Sequence, residues 1–323
     1  MTTNRGNSTG KNSGALLVDK PVGPTSHDVV ARARRALGER SIGHTGTLDP
    51  LASGLLLLLT GRATRLASLL GGALKTYDAT VRLGFSTDTF DAAGERQPLE
   101  AGIAPAAIDD AAVDEVVEAL RQQRQQMPPA FSAKKVGGVR AYKLARRNET
   151  PELRAVDVCV YALDWKRAAA DVLHLTLTCS AGYYVRAMAQ EIGERLGCGA
   201  HLEALRRTRV GAFDVTNAVP LDVLEREGGD AAAARLLAME SLLPDLPSVT
   251  LTEDGLRRAS HGNVLGVAHV SRWSDAASGS GPLQSAAAGP IRYRVLSPEG
   301  ALLAIAQANP GGLQPVIVLA AAG

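Results

Sequence analysis

The apolar positions of this chain follow three rhythms, and each predicts a different kind of element. Leu55 to Leu59 are five consecutive leucines between Gly54 and Thr60-Gly61. A run that short, closed by turn residues, predicts a strand buried on both faces rather than a membrane span. From Tyr77 the pattern alternates strictly, with Tyr77, Ala79, Val81, Leu83 and Phe85 on one face and Asp78, Thr80, Arg82 and Gly84 on the other. This predicts a half-buried strand with Tyr77 as its first core-facing residue. A second such strand, VLHLTLTCS, runs through AGYY into the helical pattern VRAMAQEIGERLG. Tyr184 and Arg186 therefore fall at a strand-to-helix junction, a common place for functional side chains. The helical rhythm is plainest in HDVVARARRALG, where Val29, Ala33 and Ala36 share a side, Thr25 or Ser26 can cap the start and Gly38 ends it. Helices are also predicted over 62–70 and 107–126, and GALLVDK predicts a strand ending at Pro21.

After Leu246 the texture changes to short β-like runs, IRYRVLS and ALLAIAQA, set between PEG and PGG turns. SDAASGSGPLQSAAAG between them is low in complexity and reads as a surface insertion near 274–289. The pattern predicts an α+β body over 14–247 and a small β-rich domain over 248–323. Residues 1–13, MTTNRGNSTGKNS, read as a disordered, solvated tail.

Composition narrows this picture in two respects. With 323 residues, 46% of them hydrophobic, the chain can bury one large core and one small one. Cys159, Cys179 and Cys198 are scattered and form no CxxC pair, and the six histidines show no close metal spacing, so neither disulfides nor a metal site is expected. Without a long apolar run or a signal-like start, the expectation is a cytoplasmic protein with no membrane segment.

The net charge of +2 excludes nothing, but its distribution is uneven. From Arg121 to Arg154 nine basic residues face two acidic ones, a local excess of seven positive charges interleaved with Phe131 and Tyr142. That is either a solvated face or a footprint for a polyanion with rings to stack on bases. The segment opens MPPAFSAKK and reads as a basic, irregular, thumb-like insertion over about 125–150.

One carboxylate stands out. Asp49 lies in GHTGTLDP, directly before the leucine strand. Pro50 keeps it out of helical conformation while Gly43, Gly46 and Gly54 permit tight backbone around it. Either Asp49 caps its own turn, or it is a carboxylate presented by a stiff loop beside an apolar wall.

In order, GALLVDKPVGPTS, GHTGTLDPLASGLLLLLTGRATRL, KTYDATVRLGFSTDTFDAAGE, QMPPAFSAKKVGGVRAYKLAR and CSAGYYVRAMAQEIGERLGCGAHLEALRRTRVGAF resemble the motifs of the bacterial tRNA pseudouridine synthase B family. The resemblance covers roughly residues 14 to 215, and TEDGLRRASHGNVL with ALLAIAQANPGGLQPVIVL looks like the PUA domain of that family. It implies the pseudouridine synthase fold, with a mixed, mainly antiparallel central sheet and a C-terminal PUA domain. It also implies isomerisation of uridine 55 in the T loop of tRNA by base flipping, with no cofactor and no metal.

Residue by residue, the resemblance makes Asp49 the catalytic aspartate. Arg186 becomes the cation that keeps it ionised against the apolar wall, and Tyr77 the ring that stacks on the base and acts near C5. Tyr184 and Leu205 match pocket-lining positions, and His44 matches the residue that inserts into the T loop. Lys20, Arg62, Arg65, Lys134, Lys135, Arg140, Lys143, Arg206, Arg207 and Arg209 are candidate phosphate contacts, with Tyr142 a stacking ring among them. The expected partner is the tRNA T stem-loop, bound by a monomer. A non-catalytic tRNA-binding module and a carboxylate-dependent nucleoside hydrolase are the rival readings. The first is opposed by the presence of Asp49, Tyr77 and Arg186 together, the second by the lack of a paired-carboxylate motif.

Overall fold

The computed structural model describes residues 13–98, 102–131, 135–136, 139–140, 153–275 and 291–319. The side chains of Lys135 and Arg140, and Lys134, Tyr142 and Lys143 altogether, lie outside the described residues, as do residues 1–12 and most of the low-complexity stretch.

The leucine run is the middle of a long strand, β3 (Ala52–Thr60), and all five leucines are wholly buried. To one side it pairs antiparallel with β1 (Gly14–Lys20) and with the short β2 (Ile42–His44). To the other it pairs parallel with β11 (Ala200–Val210) over Ala52 to Gly54. β11 in turn lies antiparallel to β4 (Lys75–Leu83), followed by β10 (Val172–Cys179) and β9 (Val160–Ala169) at the edge. The short β12 (Phe213–Asp214) joins β11, and β13 (Val219–Pro220) runs parallel to β1 at the opposite edge. The result is a mixed, mainly antiparallel nine-stranded sheet in an α+β chain, as the sequence led us to expect.

The reason for five unbroken leucines is visible in what covers each face. Leu56 and Leu58 pack with Val29, Val30 and Ala33 of the helix Ser26–Leu37. Leu55, Leu57 and Leu59 belong to a second core that includes Leu302, Ile305 and Leu319. Leu302 and Ile305 come from, and Leu319 directly follows, a five-stranded sheet near the C-terminus: β14 (Ser248–Leu251), β15 (Val270–Ser274), β16 (Arg292–Leu296), β17 (Leu302–Asn309) and β18 (Gly312–Val318), in the order β15-β14-β16-β17-β18. A strand with apolar layers on both sides has no use for alternation. Two small ladders complete the description, β5 (Gln125–Gln126) with β8 (Val156–Asp157) and β6 (Lys135–Val136) with β7 (Val139–Arg140).

Local differences from expectation have local causes. The helix after β3 begins as a 3-10 turn over Gly61–Leu66 and becomes α-helical only over Ala67–Gly71. The helix expected over 107–126 is Asp110–Arg121; the Asp109 carboxylate caps it by accepting from Ala112 N at 2.9 Å, and Gln125–Gln126 is already strand. Tyr77 is not the first core-facing residue of β4, because Lys75 is buried one repeat earlier. Cys179 and Cys198 are buried and Cys159 half-buried, all three unbridged.

Candidate active site

The loop carrying Asp49 is held by backbone groups it cannot supply itself. Thr25 caps the helix Ser26–Leu37 through a capping box with Asp28, which fixes Ser26 at the first helical position. The buried Ser26 hydroxyl donates to Leu48 O at 3.0 Å and accepts from Leu48 N at 2.8 Å. Gly23 N donates to Pro50 O at 2.8 Å, Ala52 N to Asp49 O at 3.0 Å and Thr45 N to Leu57 O at 3.1 Å. Asp49 is thus immobilised on both sides while its side chain keeps 39% exposure.

Arg186 meets that carboxylate. It is the second residue of the helix Val185–Arg195, and its side chain is only 7% exposed. Nε lies 2.9 Å from Asp49 Oδ2, and Nη1 lies 3.3 Å from Asp91 Oδ2. The remaining donors reach Thr89 O and Phe131 O, both at 2.9 Å. Asp91 is itself buried and accepts from Thr89 Oγ1 at 2.7 Å and Ala93 N at 3.0 Å. One guanidinium therefore bridges a fixed, buried carboxylate and a half-exposed one. Asp91 escaped the sequence reading, because nothing in STDTFDAAGE marks one aspartate as a partner for a distant arginine.

Asp49 and Arg186 both line a cavity of about 290 Å³. This is at the small end of the ~300–1,000 Å³ usual for ligand sites, a volume suited to one flat ring. Tyr77 and Leu205 line it from neighbouring strands, Tyr184 from the turn before the helix, and Thr47 and Asp49 from the loop. Tyr77 is buried, and burial raises its hydroxyl above the usual phenol range. The buried Gln126 holds the Tyr184 backbone as a peptide would, accepting from its N at 2.8 Å and donating to its O at 3.0 Å. His44 sits near the loop start with its ring edge-on to His27, centroids 5.7 Å apart.

Three expected phosphate contacts sit where the sequence did not place them. Lys20 is wholly buried, with Nζ donating to Pro21 O and Pro24 O, both at 2.9 Å. Burial lowers its amine to about 8. Arg207 is 2% exposed beneath the Asp49 loop, donating from Nε to Leu55 O at 2.8 Å. Neither side chain is at a surface that a phosphate reaches. Arg206 forms a two-pronged pair with Asp19 at 3.0 and 2.7 Å, so its charge is already met. Arg209 lies 3.6 Å from Asp214 and stays half-exposed. Arg62 and Arg65 donate to Leu319 O and Val318 O, at the seam with β18. Lys75, also missed, points its buried Nζ at Gly71 O and Ala73 O in the cavity wall, and burial lowers its amine to about 8.

Among the described residues no three His, Cys, Asp or Glu side chains are grouped as a metal site would need. No helix among them is long and apolar enough to cross a membrane.

Residues 34–185 match the N-terminal domain model of the TruB family pseudouridylate synthases, and residues 186–244 match the tRNA pseudouridylate synthase B C-terminal domain. The chain is 41% identical over 318 residues to tRNA pseudouridine synthase B of Thermobifida fusca, covering 95% of this chain and 98% of that one. It is 40% identical over 302 residues to the protein of the same name from Burkholderia mallei, covering 94% and 95%. In fold it resembles a chain in the crystal structure of a Cbf5-Nop10-Gar1 complex, with a TM-score of 0.70, 23% identity, and coverage of 96% of this chain and 86% of that one. The chain belongs to the TruB family of tRNA pseudouridine synthases, enzymes that isomerise uridine to pseudouridine in tRNA.

Proposed function

We propose that the target is uridine 55 in the T loop of tRNA and that Asp49 is the essential catalytic group. The observation that carries this reading is the Asp49–Arg186 contact of 2.9 Å in the wall of a cavity that Tyr77 also lines. A uridine in a folded loop reaches a site this enclosed only when its nucleotide is extruded from the stack. The base then lies over Tyr77 and the ribose beside Asp49.

The reaction breaks the bond from ribose C1′ to N1, turns the uracil and joins C5 to the same carbon. The C5 proton leaves and N1 takes one up, so atoms balance without a redox partner. Asp49 attacks the sugar carbon or removes a ribose proton, and either role needs the ionised carboxylate. Arg186 pairs with that carboxylate at 2.9 Å, and the buried Asp91 keeps Arg186 aimed at it. Tyr77 stacks on the base near C5, Tyr184 and Leu205 enclose it, and His44 enters the space the extruded nucleotide leaves.

In this reading residues 14–247 are the catalytic domain, the basic stretch near 125–150 is a thumb on the RNA, and residues from 248 onward form a PUA-like RNA-binding domain. Arg65, Arg209 and the basic residues of the thumb supply phosphate contacts. The enzyme acts as a cytoplasmic monomer.

The test is tritium release from tRNA carrying 5-tritiated uridine, using the native chain and Asp49→Ala, with filter binding of the same tRNA. Release from position 55 that is lost in Asp49→Ala while binding persists supports the whole reading. Release from another position reassigns the substrate. Free uracil in place of pseudouridine would point to a hydrolase.

A further inference from the structure

The structure assigns Arg207 a part that no phosphate-binding arginine could play. We propose that Ser26 and Arg207 clamp the Asp49 loop from opposite sides, and that Arg207 is a positioning residue setting Asp49 in register with Tyr77. The inference rests on Asp49 and Tyr77 acting as described above.

Arg207 stands in β11 between the two strands that matter. Its backbone is registered with Tyr77 of β4 on one side and with Gly54 of β3 on the other. Gly54 has φ +100°, and a Cβ there would stand 2.3 Å from Arg207 O. Only glycine lets β3 come this close. The Arg207 side chain is thereby brought within reach of the far edge of β3. Nε donates to Leu55 O at 2.8 Å, Nη2 to Gly46 O at 3.1 Å and Nη1 to Thr47 O at 3.4 Å.

Those three carbonyls straddle the loop. Gly46 and Thr47 precede Asp49, and Leu55 is the first of the five leucines in the rigid strand behind it. Tyr77, whose backbone is paired with that of Arg207, lies close enough for its hydroxyl to feel the guanidinium charge. On the other side of the loop, Ser26 holds Leu48 through both its N–H and its carbonyl. The catalytic loop is thus gripped one residue before Asp49 by a hydroxyl and two residues before it by an arginine. The arginine also pairs through its strand with Tyr77.

The chemistry of the position excludes the simpler residues. A planar guanidinium carries five donors in a fixed fork, enough for three separate carbonyls. A lysine has three donors on one nitrogen and cannot span acceptors so dispersed. Lys20 and Lys75, the other buried cations near the loop, each have two backbone carbonyls within reach. Burial, with the charge of Arg207 acting in the same direction, lowers both amines to about 8. A buried charge spent on three backbone carbonyls organises; it does not bind RNA.

The experiment compares the native chain with Arg207→Lys, Arg207→Met and Ser26→Ala. It measures single-turnover tritium release at saturating tRNA, the tRNA Kd with its salt dependence, and the melting temperature. The expected result for each folded variant is a rate at saturation lowered by about tenfold to a hundredfold, the loss a displacement of about 1 Å at a reacting group produces. Kd should stay within about twofold, with its salt slope unchanged.

Ser26→Ala leaves the arginine in place and removes only the opposite grip, so it answers even where the Arg207 variants do not fold. Double variants with Tyr77→Phe should be less than additive for Arg207→Lys and additive for Ser26→Ala. A Kd weakened with a salt slope reduced by about one, at unchanged saturated rate, would make Arg207 a phosphate contact. A lower melting temperature with unchanged rate would make the clamp purely structural; either result overturns the proposal. Asp49→Ala measured alongside separates this from failure of the reading beneath it, since tritium release by that variant would remove Asp49 from the chemistry altogether.

Discussion

Arg186 shows how much of this site depends on side chains that act at one remove. Its guanidinium touches Asp49 at 2.9 Å only while Asp91, Thr89 and Phe131 hold its other nitrogens. Asp91→Asn keeps the shape of that anchor and removes its charge, leaving Asp49 as the only carboxylate on the arginine. The pair should tighten and tilt, so release of tritium at saturating tRNA should fall by about 10²-fold with little change in KM. An unchanged rate would mean that Thr89 and Phe131 suffice. Lys75 makes a different prediction, about stability. Its folded amine sits near 8 because of burial, below the unfolded value of about 10.4. Between those values the unfolded chain binds the extra proton, so this group makes the fold more stable as pH rises from about 8 to about 10.4. Lys75→Met removes that slope. The difference in unfolding free energy, native minus variant, should be flat below pH 8 and rise above it in urea titrations. A difference that stays flat through pH 10 would show that the amine is not suppressed by burial.

Among elements, β3 and β11 mark the two limits of what the sequence disclosed. Five leucines declared a strand buried on both faces, and the loop before it was legible as stiff because Pro50 and its glycines restrict or free the backbone in known ways. β11 was not seen, although it carries Leu205 and Arg207. Its alternation is broken twice, by irregularities between Leu202 and Ala204 and between Arg207 and Arg209, so the apolar positions drift from face to face. Its charged residues look alike in sequence, yet Arg206 faces Asp19 near the surface while Arg207 lies buried under the loop. Burial of a long cation is decided by acceptors on distant strands, and a linear pattern cannot show them. For β3 the two faces can be tested separately. Leu56→Ala opens the core beneath the helix Ser26–Leu37, and Leu57→Ala opens the core beneath the C-terminal sheet. Each should cost about 2–5 kcal/mol in chemical denaturation. A cost below about 1 kcal/mol at Leu57 would show that its face is not closed as described.

At the scale of the molecule, that second face joins the two sheets. Leu302, Ile305 and Leu319 share one apolar cluster with Leu17, Leu55 and Leu57, and Arg62 and Arg65 donate to the carbonyls of Leu319 and Val318. A sheet that only tethered RNA would hang from a polar linker. This one completes the core of its neighbour, and the composition change near residue 246 could not reveal it, because a boundary in texture says nothing about contact across it. The consequence is cooperative. A calorimetric scan of the native chain should show one transition, its van't Hoff and calorimetric enthalpies in agreement. Ile305→Ala, although it lies in the C-terminal sheet, should lower that transition as a whole, since the cavity it leaves belongs to both sheets. Tritium release, assayed just below the variant's midpoint, should fall in parallel with the loss of native near-ultraviolet dichroism. A separate early transition in Ile305→Ala, with release persisting above it, would instead make the C-terminal sheet an independent unit and the leucines of β3 able to do without their cover.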